Sequence, residues 1–506
     1  MIKFITPREA AHLVADHATV AMSGHAGFGT ADAILQALQQ QYALTGKPAQ
    51  LTLVKVAGAG DGGRRGGDRL AAPGCIRTLI TSHVGLEPKL AEAIRTERCL
   101  AYMIPAGTIF RLYQACARGE NGFLTEVGLG TTADPRYEGS CGNARTRKEG
   151  KPLVSVETVQ GKEYLYYRTF PIQVGIIRGS IADETGNISL EHEDMIGEQL
   201  QIAMAVKQSG GIVLVQVADL VRRGKLDPRQ VTIPRHLVDY VTVVRQRDVW
   251  TEIVPDPDGG RPHEPLTVRK ICARRAALEL QPQELVNLGI GMPESIGSVL
   301  AEEGMESRII SASDSGVIGG VQLTGPEMGS ALYPEAMIPM ADMLSLCNGG
   351  GLDVCALGLA ETDYLGNVNV SRFNGCVVGP GGFIDLTRQA KKIIFLGTFT
   401  AVGLQAHCER GTLCITQEGR YHKFKKQVEE ITFSGVAAKQ RGQKVLFVTE
   451  RAVFTLTPAG WLLTEVAPGV DIRRHIIPFM DFSPRVAAHV KTMDTRIFGE
   501  TKMGLR

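Results

Sequence analysis

Several classes of protein are excluded by what this 506-residue chain lacks. It has no excess charge of either sign: 55 basic side chains face 53 acidic ones, a formal net charge of +2. That balance gives no field for nucleic acid or an anionic membrane surface. It has no apolar run near the ~20 residues that a bilayer-spanning helix needs. Its ten cysteines are scattered, with no CxxC pair and no Cys/His spacing of a zinc site, so they read as reduced thiols in a cytoplasmic protein. The N-terminus lacks the basic, apolar and cleavage order of a signal peptide. The glycine-rich loop Ser23–Thr30 is neither a Walker A loop nor a GxGxxG fingerprint, so it indicates neither ATP nor NAD. The expectation is a soluble enzyme with no metal and no resident cofactor.

Glycine, by contrast, is abundant, with 58 residues. Such usage fits many strand-to-helix turns where the backbone takes positive φ or approaches a ligand. Short β-branched runs read as strands: Ala18–Ser23, Leu51–Val56, Ile76–Thr81, Val174–Ile177, Gly211–Val217, Ile309–Ala312, Lys392–Leu396 and Lys444–Thr449. Amphipathic segments between them read as helices, among them Ala31–Gln40, Pro88–Glu97, Glu198–Ser209 and Ser295–Glu303. Thr6-Pro-Arg-Glu9 predicts a capped helix near the N-terminus. Continuous apolar strands alternating with helices predict an α/β fold, its mostly parallel sheets covered on both faces.

Pro255 to Pro265, dense in proline, glycine and charge, reads as a linker. The two sides of it share motifs. Ala182-Asp-Glu-Thr-Gly-Asn187 recurs as Glu361-Thr-Asp-Tyr-Leu-Gly-Asn367, each with an acid three residues before Gly-Asn. Gly27–Ile34 recurs as Gly289–Ile296, each a glycine-flanked turn opening a helix. Two matches in one order predict a duplicated α/β domain, residues 1–260 and 266–506, the second carrying the catalytic acid.

Four loops could carry chemistry. Ser23–Thr30 (SGHAGFGT) ends a strand and opens a helix; backbone amides there attract anions, and a plain tight turn fits equally. Ala57–Gly67 adds Arg64 and Arg65, which could meet a phosphate or simply sit in a solvated loop. Ser313-Asp-Ser-Gly316 places Asp314 at the end of a strand, where open α/β sheets put reactive groups, although a capping aspartate has the same spacing. Gly379-Pro-Gly-Gly-Phe383 bends tightly and could aim amides at an oxyanion; a Pro-Gly hairpin is the plain alternative. His25 and His83 flank strand ends without any mark of a base and read as structural.

Taken in order, SGHAGFG (23–29), AGAGDGGRRGG (57–67), SHVGLEPKL (82–90), VGLGTTADPR (127–136) and ADETGN (182–187) resemble the first half of the family I CoA transferases. SDSGVIGG (313–320), NGGGLDVCALG (348–358), GNVNVSRF (366–373), GPGGFIDL (379–386), VTERAVF (448–454) and EVAPGVD (465–471) resemble the second half. The nearest branch is the single-chain short-chain acyl-CoA and propionate transferases. This resemblance implies exchange of coenzyme A between an acyl-CoA and a small carboxylic acid, in short-chain fatty acid or ketone body metabolism. It further implies attack on the thioester by a carboxylate at position 314 and oxyanion amides at Gly381 and Gly382. CoA or substrate contacts are implied at Gly24, Gly27, Gly29, Gly379 and Phe383. A homo-oligomer, dimer or tetramer, is implied too.

The sequence departs from the family pattern twice. Asp314 stands where the family carries glutamate, and Pro105-Ala106-Gly107 where it usually has Pro-Gln-Gly. Three readings follow: a transferase with Asp314 as nucleophile, an acyl-CoA hydrolase with Asp314 as general base, or a non-catalytic CoA-binding protein.

Overall fold

The computed structural model describes residues 2–245, 265–323 and 325–505. The linker reading therefore falls outside the described residues except at Pro265.

Two large sheets organise the chain. The first has eight strands, all parallel, in the spatial order Lys3–Phe4, Tyr240–Val243, Ile212–Val217, Val174–Arg178, Thr19–Met22, Leu51–Val54, Ile76–Thr81 and Leu100–Met103. Successive residues of one strand enter opposite cores, because side chains alternate across a sheet. Leu53, Leu79, Ile176 and Leu214 pack under helices Asp32–Thr45 and Pro88–Arg95. Their neighbours Val54, Ile80, Ile177 and Val215 pack under helices Ala106–Ala117 and Gln199–Gln208. Covering both faces is why these strands are mostly apolar, with polar Arg77, Arg178 and Gln216 near strand ends. The N-terminal helix Pro7–His12 carries the expected cap: Glu9 N–H donates to Thr6 Oγ1 at 3.2 Å and Thr6 N–H to Glu9 Oε2 at 2.8 Å.

The second sheet has ten strands. Its parallel centre runs Ile310–Ala312, Leu285–Leu288, Val354–Gly358, Lys392–Leu396 and Lys444–Val448. The connectivity repeats that of the first sheet. Thr19–Met22 and Leu285–Leu288 each have the next helix-linked strand on one side and three later strands in succession on the other. The sheet then extends through Ala452–Thr457 and Gly460–Val466, both antiparallel, to Arg485–Thr492, strands that the sequence reading did not anticipate.

The Gly-Asn repeat is one turn built twice. Asp183 Oδ1 accepts N–H bonds from Thr185 (2.8 Å) and Asn187 (3.0 Å), and Oδ2 accepts from Asn187 Nδ2 (2.9 Å). Asp363 does the same with Leu365 (3.0 Å), Asn367 N–H (3.1 Å) and Asn367 Nδ2 (3.0 Å). Gly186 and Gly366 take φ of 93° and 84°, the left-handed region that favours glycine. These acids are spent on turn geometry.

Candidate active site

A cleft of about 290 Å³ opens where the carboxyl ends of both parallel sheets meet. Its walls combine His25, Ala57, Gly58, Ser82, His83 and Ala106 from the first half with Asp314, Gly379–Phe383 and an apolar group including Leu288, Leu300 and Leu357 from the second.

Asp314 follows strand Ile310–Ala312 in a closed turn. Ser313 N–H donates to Val317 O at 2.9 Å, and Gly316 N–H to Ser313 O at 3.1 Å. Gly316 sits at φ 97°, and a Cβ there would lie 2.0 Å from Ile338 O, so no other residue fits without moving the chain. The capping task that the spacing offered to Asp314 falls to Ser313, whose Oγ accepts the Ser315 N–H at 3.3 Å. The Asp314 carboxylate is left half-buried in the cleft, with Ser313 Oγ 3.5 Å from Oδ1.

Against it lies the Gly379–Phe383 bend. A Cβ added at Gly382 would stand 2.6 Å from Asp314 Oδ2, so the backbone approaches the carboxylate as closely as only glycine permits. The bend is also the joint between the halves. Val84 N–H donates to Val378 O (2.8 Å), Gly381 N–H to Ser82 O (2.9 Å) and Ala106 N–H to Gly381 O (3.0 Å). Gly379, at φ 91°, lies against Met103 and Ser82: a Cβ would come within 2.2 Å of Met103 Cε. These contacts correct one sequence expectation. The Gly381 amide is already committed to a carbonyl in a well-formed bond, so of the two expected oxyanion donors only Gly382 lies against the carboxylate. Phe383, the first residue of helix Phe383–Gln389, lines the cleft.

Gly24, Gly27 and Gly29 are not among the cleft-lining residues; from their loop His25 and Ala26 are. Gly24 (φ 137°) donates its N–H to buried Glu198 at 3.1 Å, and a Cβ there would meet Thr30 Oγ1 at 2.2 Å. Gly29 (φ 62°) shapes the same turn, and Gly27 occupies the His25–Phe28 turn. These glycines shape the loop that presents His25. Arg64 and Arg65 do not line the cleft either; their backbone amides donate to Asp61 Oδ1 at 2.9 and 3.1 Å.

Both histidines that the sequence reading treated as structural reach the cleft. Burial pushes His83 down to about 3, helped by the Lys55 charge and then His25, so the ring is neutral. Its Nδ1 accepts the Gly85 N–H at 3.2 Å. Burial also lowers His25, opposed by the nearby Asp314 carboxylate. Outside the cleft lining, burial raises Asp385 to about 6; bonds from Asn348 Nδ2 (2.8 Å) and Gly107 N–H (3.0 Å) oppose the rise, and the Asp314 charge adds to it. Asp385 thus caps helix Ala106–Ala117 from the other half of the chain.

Beneath the cleft, Lys55 and Glu87 form a fully buried ion pair at 2.5 Å. Lys55 Nζ also donates to Ala57 O (2.8 Å), Thr81 Oγ1 (3.0 Å) and His83 O (3.0 Å). The sequence reading passed over this pair, yet a lysine inside an apolar strand run was its visible signal. Among the described residues, the grouped side chains able to hold a metal ion are His407, Glu409 and Cys414, on hairpin strands Gln405–Glu409 and Thr412–Gln417, outside the cleft lining. No helix among the described residues is long and apolar enough to cross a membrane.

Twin open sheets that present a carboxylate and a glycine bend at the mouth of a shared cleft define a doubled α/β enzyme scaffold. Residues 4–244 match the family model of coenzyme A transferases. The whole chain is 39% identical to the caffeate CoA-transferase of Acetobacterium woodii, covering 99% of that protein. It is 37% identical to the acetate CoA-transferase YdiF of Escherichia coli strain K12, over 99% of this chain and 96% of that one. The crystal structure of the acyl-CoA transferase YdiF from Escherichia coli O157:H7, in a thioester complex with CoA, has a TM-score of 0.92 to this chain at 36% identity, covering 100% of this chain and 98% of that one. The chain belongs to the coenzyme A transferase family and is a CoA-transferase.

Proposed function

We propose that this enzyme moves coenzyme A between an acyl-CoA and a short-chain carboxylic acid, with Asp314 as the attacking group. The observation that carries the reading is the Asp314 carboxylate, half-buried in the cleft with the Gly382 backbone pressed against it. In the first step a carboxylate oxygen of Asp314 attacks the thioester carbonyl, the C–S bond breaks and CoA leaves as the thiolate. An acyl–aspartyl anhydride remains. The thiolate then attacks the aspartyl carbonyl and expels the donor carboxylate, leaving an aspartyl–CoA thioester. The acceptor acid runs both steps in reverse. Splitting one exchange into smaller steps is the gain of covalent catalysis. Of the two expected oxyanion donors, Gly382 N–H is the one assigned the role here, since the Gly382 backbone lies against Asp314 while the Gly381 N–H donates to Ser82 O.

Asp314 is one methylene shorter than the glutamate its family usually carries, and Ala106 supplies no side-chain donor where glutamine is usual. Tight approach of the bend offsets the shorter reach on this proposal. The remaining assignments are of the same standing: two domains at 1–260 and 266–506, no cofactor beyond CoA as substrate, a cytoplasmic homo-oligomer, and a place in short-chain fatty acid or ketone body metabolism. The test is intact mass spectrometry after incubation with an acyl-CoA and no acceptor. A CoA-sized adduct on Asp314, absent in Asp314→Asn, is the expected result. Repeated release of free CoA without an adduct would make the enzyme a hydrolase, and binding with neither outcome would make it a non-catalytic CoA binder.

A further inference from the structure

The cleft does not stop at Asp314. Ile309 stands at the foot of strand Ile310–Ala312 and also lines the cleft, so the cavity descends about 10 Å along that strand, three residues at ~3.3 Å each. The opposite wall is helix Glu294–Glu303, the crossover between two parallel strands, which therefore runs from the strand heads toward their feet. Glu294, Gly297 and Leu300 line the cavity at successive turns of that helix. The lower end is mostly apolar, with Leu300 (3% exposed) and Ile309 (6%) beside Leu288, Val321 and Leu323; Ser298, Ser311 and Gln322 share the lining, with Gln322 Nε2 turned to Ser311 Oγ at 3.4 Å.

A mostly apolar end beneath the reacting carboxylate suits an apolar chain that terminates. The pantetheine arm of CoA does not, since it joins the sulfur to the nucleotide and carries two amides that need hydrogen-bond partners. The acyl group has the free end.

Gly297 marks the gauge of this pit. It lies inside a helix, where glycine is a poorer choice than alanine. Its φ is not in the left-handed region. A Cβ there would meet only Leu288 Cδ1, at an ordinary 3.6 Å. Neither backbone strain nor crowding calls for glycine at this position. What its missing side chain preserves is empty space in the cavity wall.

We infer that the pit below Asp314 is the acyl pocket, that it takes apolar acyl groups larger than acetyl, and that Gly297 sets their size. This rests on the transferase reading for its chemistry. The test compares the wild-type enzyme with Gly297→Ala and Gly297→Leu. Kd is measured by calorimetry for S-ethyl-CoA and S-hexyl-CoA, unreactive thioethers, and kcat/KM for acetyl-CoA and hexanoyl-CoA. The wild type is expected to prefer the hexyl compound by roughly fourfold per methylene that the pit buries. Gly297→Leu is expected to weaken hexyl binding and hexanoyl turnover by about tenfold or more, with the ethyl and acetyl values within threefold of wild type. Gly297→Ala is expected to raise Tm, which shows that the helix tolerates the change. Equal losses for both chain lengths would place Gly297 on the pantetheine track, and no loss would place it outside the pocket; either overturns the inference. An enzyme without turnover on any acyl-CoA would instead sink the transferase reading, while the thioether affinities would still decide the pocket.

Discussion

Replacing Lys55 by methionine removes the cation from a pair whose side chains are both fully buried, 2.5 Å apart. Glu87 would keep one bond, from Gly67 N–H at 2.8 Å, and lose its counter-charge. The oxygens of Ala57, Thr81 and His83 would lose a donor at the same time. Breaking one side of a buried pair costs about 3–5 kcal/mol. At ~2 °C per kcal/mol for a folding unit of roughly 250 residues, that is a fall in Tm of about 6–10 °C. The loss should depend on pH, with a definite sign. Burial already raises Glu87 above its ordinary value of 4.5, and Lys55 opposes the rise. Without Lys55 the carboxyl rises further. A group raised on folding gives its full stability below the unfolded value and loses it as pH climbs through the folded one. The deficit of Lys55→Met should therefore be smallest near pH 5 and grow toward pH 8, while adding Glu87→Gln to Lys55→Met removes the titrating carboxyl and should abolish that growth. Thermal melts of wild type, both single variants and the double variant at pH 5 and 8 provide the assay. A Lys55→Met protein within about 1 kcal/mol of wild type, or a deficit equal at both pH values, would refute the reasoning. Since Lys55 holds the carbonyls of two cleft residues, the variant should also lose turnover at temperatures where it remains folded.

Two other perturbations probe the joint between the halves. Gly379→Ala puts a Cβ 2.2 Å from Met103 Cε and 2.4 Å from Ser82 O at φ 91°, so it should destabilise by about 2 kcal/mol or more and lower turnover through displacement of the bend, read by Tm and kcat. Asp385, raised to about 6 mainly by burial, gives stability that is complete below its ordinary 3.8 and lost as pH rises through about 6. Between pH 4 and pH 7 the stability of wild type relative to Asp385→Asn should therefore fall by ~2–3 kcal/mol, measured by urea melts at both pH values; no change would mean that the carboxyl titrates normally.

Much of the scaffold was open to reading from the chain alone. Strands such as Ile76–Thr81 and Lys392–Leu396 match the bounds read from their β-branched, mostly apolar runs, because a strand covered on both faces buries apolar side chains on each. The duplication was legible in Asp183 and Asp363 because their turn is local: the acid, the glycine and the asparagine that build it lie within five residues. Position 314 stood out by its glycine-flanked place at a strand end. The tertiary structure decided which glycines face the cleft and which only shape loops, and it assigned Gly379 and Gly381 to the joint between halves. It also brought His25 and His83 to the same cavity, set Asp385 against the N-terminus of helix Ala106–Ala117, and paired Lys55 with Glu87. Those outcomes depend on contacts between segments far apart in the chain. Local spacing fixes a turn or a strand through its own backbone bonds, but the neighbour that buries, pairs or crowds a side chain is set only when the sheets pack.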